Sequence, residues 1–181
     1  WIPVRYLAQQ NLDGAPGTLI VVATAMLLLS PFPILYWRRL SYARLPAVIA
    51  AVLAGVALAL FSVGLAYGRV AIVLLLFYLT PVWSALIGRL GFGWPITARR
   101  VLVVVMGLGR LSLMLGADGL LWPSGLGEWL GMMAGLVWAV ASTGMRTHSG
   151  PGPGEVTFLS AVGALVTTGA ILMLVPGAWS G

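Results

Sequence analysis

Long apolar runs separated by short polar turns form the pattern of hydrophobic and polar positions in this chain. Each run is about 20 residues long, which at roughly 1.5 Å per residue of α-helix spans a hydrocarbon layer about 30 Å thick. The runs therefore predict an all-α polytopic membrane protein with six transmembrane helices. Their bounds are residues 16–37, 46–66, 70–90, 99–116, 127–146 and 155–175.

The third run, residues 70–90, contains a proline in its interior. Pro81 has no amide hydrogen and its ring clashes with the carbonyl of Phe77, so one backbone acceptor is freed inside the bilayer. We expect the helix to break near Pro81. A neighbouring helix, a hydroxyl group or water must then satisfy the freed carbonyl, because lipid offers no hydrogen-bond donor.

Small residues recur every four positions on two of the predicted helices. Such a stripe lets another helix approach closely, and tight packing is its expected role. The second helix carries Ala47, Ala51, Gly55 and Ala59, and the fifth carries Gly127, Gly131, Gly135 and Ala139.

The composition makes lipid the solvent of this chain. With 60% hydrophobic residues, 8% charged residues and a mean hydropathy of +1.03, a 19.0 kDa globule has too few polar side chains to cover its surface in water. The net charge of +6 comes from ten arginines, most of them in the short turns, so it indicates membrane topology rather than nucleic-acid binding. The absence of cysteine excludes disulfides and thiolate metal sites.

The arginines are distributed unequally between the two sides of the predicted bundle. Seven lie on one side, two lie on the other, and Arg110 lies within the fourth run. By the positive-inside rule, the arginine-rich turns are cytoplasmic and both ends of this chain face outside, as in a multi-pass protein of the inner or plasma membrane. The seven are Arg38, Arg39, Arg44, Arg89, Arg99, Arg100 and Arg146, and the two are Arg5 and Arg69.

Catalytic chemistry is poorly represented in the sequence. The chain has one histidine and four carboxylates, and no two carboxylates are paired at helical spacing within a run. His148 lies in a Gly/Pro-rich turn, which is typical of a solvated loop residue rather than of a metal ligand. No phosphate loop, dinucleotide fingerprint or metal motif is present. We therefore expect a protein that is not an enzyme and that uses no cofactor or metal.

Kinked helices, small-residue seams and a few aromatic and hydroxyl side chains are the features with which secondary transporters line a midplane cavity. We expect a substrate to bind between the third and fifth helices. The alternative is that Trp83 and Trp138 face lipid or fill gaps in the packing. The expected cavity residues are Tyr78, Thr80, Trp83 and Ser84 on the third helix and Trp138, Ser142 and Thr143 on the fifth.

Arg110 is the one charged residue inside a predicted span. An arginine at a helix centre costs about 2.5 to 3.5 kcal/mol on insertion scales. Arg110 is six residues from Gly116, roughly 9 Å along a helix, so its long stem could extend toward Asp118 or the lipid headgroups. The other interpretation places it in the cavity, where it would bind an anionic group of the substrate.

Three stretches of the chain resemble one known family. FYLTPVWSALIGRL at 77–90 and VLVVVMGLGRLSLMLG at 101–116 resemble the middle of an EamA-like domain of the drug/metabolite transporter superfamily. GEWLGMMAGLVWAVASTGMR at 127–146 resembles the helix that opens the second half of that family's fold, with Trp138 at the family's tryptophan.

The resemblance implies a ten-helix fold made of two inverted repeats of five helices. Residues 1–120 would form the first repeat without most of its first helix, and residues 121–181 would form the first two helices of a truncated second repeat. We accordingly expect the chain to be a fragment of a larger carrier. It departs from the family at Trp94, where glutamate is usual, and at Arg110, where a small residue is usual.

The activity implied by the resemblance is secondary transport of small organic metabolites or drugs by an exporter that works through alternating access. The expected partners are the lipid bilayer and a small-molecule substrate, and nucleic acid is not expected. Further copies of the chain, or the missing helices, would complete the bundle. A second hypothesis is a truncated or partner-dependent structural membrane protein that transports nothing by itself.

Overall fold

The computed structural model describes residues 15–31, 44–93, 101–102, 105–107, 109–110, 113, 123, 125–147 and 152–174. These residues form α-helices and turns, and they contain no β-strand, which confirms the all-α class. Residues 1–14, most of the fourth run and the boundary between the two expected repeats lie outside the described residues, as do Arg38, Arg39, Trp94, Arg99, Arg100 and His148. In chain order the helices are α1 (Ala15–Leu29), α2 (Leu45–Tyr67), α3 (Val70–Phe77), α4 (Thr80–Phe92), α5 (Leu126–Thr147) and α6 (Pro153–Leu174).

Prolines mark the starts of four of these helices, since Pro16 is also the second residue of α1. Pro46 and Pro81 lie in the first turns of α2 and α4, and Pro153 is the first residue of α6. Proline suits this position because the first amides of a helix have no intrahelical acceptor and the ring already holds a helical φ angle. The sequence therefore sets where these helices begin without help from their neighbours.

Helix α2 lies at the centre of the described bundle. It packs against α5 and α6 and also contacts α1 and α3. Helix α5 packs against α3 and α4 as well, and α6 packs against α1. The α2–α6 approach requires glycine, because a Cβ on Gly55 would overlap the carbonyl of Ser160 and one on Gly163 would overlap the carbonyl of Val52. Both small-residue stripes are buried in such seams, so their packing role is confirmed.

Helices α2 and α6 run parallel to each other. Near their starts, the Ser160 hydroxyl donates a hydrogen bond to the Ala51 carbonyl oxygen at 2.9 Å. Near their ends, Leu172 packs against Val63 in the apolar core. The first turns of these two helices therefore lie at the same end of the bundle.

Helix α5 runs in the opposite direction to α2. Its first turn lies against the last turn of α2, where Gly127 meets the Gly64 and Gly68 backbone, and its last turns lie near Ala50 at the start of α2. Helix α3 runs parallel to α5, and α4 continues along the span that α3 begins.

We call the end with the α2–α3 turn and the start of α5 the Arg69 end. The opposite end, with the starts of α2 and α6 and the end of α5, is the Arg44 end.

Small side chains fill the interior of the bundle and large apolar side chains cover its outside. Most of the buried apolar residues are alanines, whereas Leu28, Leu90 and Met173 are 73%, 78% and 88% exposed. A protein folded in water shows the reverse distribution, because burial of large apolar side chains drives its folding. Helices that associate in lipid have no such driving force and instead pack through small residues. This distribution is therefore typical of a membrane protein.

Three described helical segments are long and apolar enough to cross a membrane. They are Leu45–Tyr67, Val70–Gly91 and Pro153–Leu174, with mean hydropathies of 2.6, 2.3 and 1.9. The apolar part of α1 is shorter, at Pro16–Leu29, and α5 has the length but is interrupted by glycines and by Glu128. The structure thus supports a membrane protein in which three of the described helical segments are long and apolar enough to cross the bilayer, and the count of six spans stays a prediction.

Candidate functional site

The third predicted span is broken at the expected place. Helix α3 ends at Phe77, Tyr78 and Leu79 form a turn, and α4 begins at Thr80. The Thr80 hydroxyl donates a short hydrogen bond to the Phe77 carbonyl oxygen. This is the acceptor that Pro81 leaves without its usual helical donor, so the prediction of a break with a satisfied carbonyl is confirmed.

The break is packed directly against the glycine seam of α5. Thr80 Oγ1 lies 3.3 Å from the Gly135 carbonyl oxygen, within reach of a second, weaker hydrogen bond. A Cβ on Gly135 would lie only 3.0 Å from the Phe77 carbonyl oxygen. Glycine at this position therefore lets the backbone of α5 contact the irregular backbone of the third span, which keeps that backbone away from lipid.

Aromatic rings surround the break on the side of α2. The Phe77 ring lies 4.5 Å from the Phe61 ring of α2 and 6.2 Å from the Tyr78 ring, measured between centroids. Tyr78 itself is 52% exposed. Of the predicted site residues, Tyr78 therefore lies at the surface of the break, whereas Thr80 contacts the carbonyl oxygens of Phe77 and Gly135.

Trp83 follows Thr80 by about one helical turn, and its indole nitrogen is a buried hydrogen-bond donor. Its indole Nε1 is buried and, within the described residues, has no hydrogen-bond acceptor. A buried donor without an acceptor costs about 1 to 3 kcal/mol, so native structures usually pair such groups. Ser84, next in the chain, is half-buried. The indole N–H of Trp83 is thus a buried donor without an acceptor in the described part of the chain.

The hydroxyl groups of the predicted site residues on α5 donate hydrogen bonds to the backbone of their own helix. The Ser142 and Thr143 hydroxyls both donate to the Ala139 carbonyl oxygen, at 3.2 Å and 2.8 Å. Trp138 is half-buried on the same helix. Arg110 belongs to a partly described helical segment and is exposed there, so the structure brings Thr80 and Gly135 together but does not bring Arg110 to them. Its cavity role stays a prediction.

The structure adds an ion pair at the Arg69 end. Arg69 Nε donates to Glu128 Oε1 at 2.6 Å, with the Glu128 side chain 3% exposed and the Arg69 side chain 58% exposed. The hydrogen bond that Arg69 donates to the Glu128 carboxylate raises the pKa of Arg69 above its ordinary value. The sequence alone did not predict this pair, because the approach of Arg69 to Glu128 depends on the packing of α5 against the α2–α3 turn.

Glu155 is a second buried glutamate, at the Arg44 end. It is the third residue of α6, is only 4% exposed, and its Oε1 has no hydrogen-bond partner in the described part of the chain. The sequence signal that could have identified it is a carboxylate in the first turn of an otherwise apolar helix.

Comparisons of the chain with models of protein families, with curated proteins and with solved structures found no match.

Proposed function

We propose that this protein is a secondary transporter of small organic metabolites or drugs that works by alternating access. One observation carries the proposal: a helix is broken in mid-span, its freed carbonyl is held by Thr80, and the break packs against the glycine seam of α5. Trp83, three residues after Thr80, has a buried indole N–H without a partner in the described part of the chain. Discontinuous helices of this kind form the substrate sites of many carriers, because irregular backbone is tolerated only where protein or a polar cavity satisfies it.

The substrate that suits this seam offers a hydrogen-bond acceptor to Trp83. The Thr80 hydroxyl hydrogen is already donated to a backbone carbonyl, so the indole N–H is the available donor. The rings of Phe61 and Phe77 and the glycine seam of α5 lie at the break, which favours a substrate with an apolar or aromatic body. We place Trp138 and Ser84 at the edges of the same site, and Tyr78 at its entrance.

The family that best accounts for these features is the EamA-like branch of the drug/metabolite transporters, acting as an exporter in the inner or plasma membrane. The order and spacing of the stretches at 77–90, 101–116 and 127–146 support this assignment. In this proposal, further helices or further copies of the chain complete a ten-helix bundle of two inverted repeats.

A structural role without transport is the second candidate. It is favoured by the way the α5 hydroxyls of Ser142 and Thr143 bond to their own helix and by the tight, alanine-rich interior. In that case Trp83 fills a gap in the packing and its N–H remains unused.

Transport by a Trp83→Phe variant distinguishes the two candidates. Phenylalanine keeps an aromatic ring but removes the N–H, and loss of one neutral hydrogen bond is worth about two- to tenfold in affinity. The full chain in proteoliposomes should therefore show uptake of radiolabelled amino acids or of ethidium with an apparent affinity reduced by about that factor in W83F. The matched control is W129F, because Trp129 is 45% exposed on α5. Equal transport by W83F, W129F and the unchanged protein would leave Trp83 with a packing role.

The orientation proposal puts the Arg44 end in the cytoplasm, since Arg44 and Arg146 lie there and Arg69 is held by an acid at the opposite end. The chain contains no cysteine, so single cysteines report sidedness directly. A cysteine at Gly125 should react with an impermeant thiol reagent added outside intact cells, and one at Pro153 should be protected. Both positions are exposed on the protein, and the opposite labelling pattern would reverse the orientation.

A further inference from the structure

Three arginines at the Arg44 end of the bundle are exposed, and the proposed substrate site does not use them. Arg44 precedes α2, Arg89 lies in the last turn of α4, and Arg146 lies in the last turn of α5. None of the three forms an ion pair with an acid in the described part of the chain. We call these three residues the arginine belt.

The packing of α5 against the third span places Arg89 and Arg146 at the same height. A Cβ on Gly135 would lie 3.0 Å from the Phe77 carbonyl oxygen, so these two residues are level. Arg89 follows Phe77, and Arg146 follows Gly135, along helices that run in the same direction. At 1.5 Å per residue, both arginines therefore lie about 17 Å beyond that contact.

Arg44 belongs to the same layer, on the α2 side of α5. A Cβ on Gly144 would lie 2.9 Å from the Ala50 side chain, so Gly144 and Ala50 are level on two helices that run in opposite directions. Arg44 comes before Ala50 and Arg146 comes after Gly144, so both lie toward the same end of the bundle. Their heights differ by about 6 Å, and the arginine belt is thus a layer about one helical turn thick.

Two of the belt arginines are followed directly by exposed leucines. Leu45 comes after Arg44 and is 70% exposed, and Leu90 comes after Arg89 and is 78% exposed. In a membrane protein, an exposed leucine lies favourably in hydrocarbon, whereas a guanidinium group is costly there and extends toward the headgroup layer. The arginine belt therefore lies where acyl chains meet lipid headgroups.

The two ends of the bundle differ in the charge that they expose. At the opposite end, Arg69 is paired with Glu128, so the two charges offset each other. At the Arg44 end, the described acid is Glu155, which is only 4% exposed and forms no ion pair with the belt. The described residues at this end thus present positive charge, which is complementary to an anionic lipid and not to a zwitterionic one.

We propose that the arginine belt binds the phosphate groups of anionic phospholipids in the membrane leaflet at the Arg44 end. Guanidinium groups donate paired hydrogen bonds to phosphate oxygens, and Leu45 and Leu90 contact the acyl chains of the same lipids. An arginine near an anionic membrane surface strengthens binding by about fivefold. The proposal rests on the membrane character of the chain and holds whether or not the protein is a transporter.

Native mass spectrometry of the full chain in detergent tests this binding. With equal amounts of phosphatidylglycerol and phosphatidylcholine of the same acyl chains, we expect phosphatidylglycerol to be bound preferentially. R44Q, R89Q and R146Q should each lower the apparent affinity for phosphatidylglycerol about fivefold. The matched control is R69Q, which should keep the preference because Arg69 is already paired with Glu128. Equal binding of both lipids by the unchanged protein, or an equal loss in R69Q, would overturn the proposal.

Inorganic phosphate distinguishes a lipid site from a site for free anions. Phosphate at the same concentration as the lipid should leave phosphatidylglycerol bound, because it offers no acyl chain to Leu45 and Leu90. Displacement of the lipid by phosphate at that concentration would show a site for free anions and would overturn the assignment to lipid.

Thermal unfolding in vesicles keeps the proposal testable if a single glutamine variant folds poorly. The unchanged protein should melt at a higher temperature in phosphatidylglycerol than in phosphatidylcholine, and the difference should shrink in about 1 M salt, where the Debye length is about 3 Å. Glutamine at all three belt positions should remove the difference. Lysine at all three keeps the charges without the paired hydrogen bonds and should retain part of it. A difference that persists in the triple glutamine variant would assign the lipid preference to other residues.

Discussion

Glu128 and Glu155 occupy equivalent places at opposite ends of the same bundle, yet among the described residues only Glu128 has a partner. Each lies in the first turn of a long helix and is almost fully buried, at 2% and 4% exposure. Glu128 accepts a hydrogen bond from Arg69, whereas Glu155 Oε1 has no partner in the described part of the chain. Residue type, helix position and burial therefore do not decide whether a buried acid is paired.

The difference arises from the turn that faces each acid. Helices α2 and α3 are joined by only two residues, Gly68 and Arg69, and the backbone of Gly68 touches that of Gly127. This contact places the Arg69 side chain beside Glu128. At the other end, Arg44 precedes α2 without any such contact to α6, so its side chain remains exposed. A short turn in backbone contact thus produces an ion pair that charge distribution alone does not.

The largest expected effect comes from Gly127→Ala, which breaks the paired end. The added Cβ would overlap the Gly68 amide nitrogen, so the α2–α3 turn and α5 must separate and the Arg69–Glu128 pair must lengthen. Overpacking against rigid backbone costs about 3 kcal/mol or more. Thermal unfolding in detergent should show the loss. G169A is the matched control, because nothing lies within 4 Å of a Cβ there; equal melting of both variants would contradict the close contact.

A smaller effect is expected from Arg69→Gln, which leaves Glu128 buried without its cation. The loss of stability is limited because the arginine is more than half exposed and solvent screens the pair. R146Q at the Arg44 end, where the arginine is exposed, should melt like the unchanged protein.

The stability difference between R69Q and the unchanged protein depends on pH in a way that follows from the raised pKa of Arg69. A raised pKa means that the stabilising contribution is complete below the ordinary arginine pKa and is lost only as the pH rises through the raised one. Arginine remains charged throughout the range in which proteins are usually studied, so the gap between R69Q and the unchanged protein should stay constant from about pH 7 to pH 10. A gap that closes within this range would show that another group controls the pair.

Thr80→Val tests how much the hydrogen bond to the freed Phe77 carbonyl stabilises the middle of the bundle. The valine keeps the shape but leaves the Phe77 carbonyl without a donor, which costs about 1 to 2 kcal/mol. T80S retains the hydroxyl and should be close to neutral. The control is T157V, which removes an ordinary hydrogen bond from an exposed threonine to the Pro153 carbonyl. A T80V protein as stable as T157V would mean that Phe77 finds another donor.

The smallest effect on stability should come from Glu155→Gln. No hydrogen-bond partner of Oε1 in the described part of the chain is lost, and the amide of glutamine has nearly the same shape as the carboxyl group. Melting temperature in detergent should be unchanged, while E128Q at the paired end should lower it by weakening the hydrogen bond from Arg69. A marked destabilisation by E155Q would show that other groups at this end of the bundle hold the carboxyl group.

Features that depend on local chain chemistry were predictable from the sequence. The apolar runs predicted α2, the broken α3–α4 span and α6 to within a few residues, because helix length and proline position act locally. The freed carbonyl at Phe77 was predictable for the same reason, and Thr80 lies three residues from it. The buried stripes through Gly55 and Gly135 also followed from spacing alone, since a period of four residues lies along one face of a helix.

Which groups meet across helices was decided only by the tertiary structure. The sequence could not show that Gly135 would contact the break, that Arg69 would reach Glu128 across 59 residues of chain, or that the indole N–H of Trp83 would be buried. These outcomes depend on the direction, register and rotation of helices far apart in sequence. Small-residue stripes allow close approach in several registers, and the ångström-scale choice among them determines whether a polar group gains a partner or remains free for a ligand.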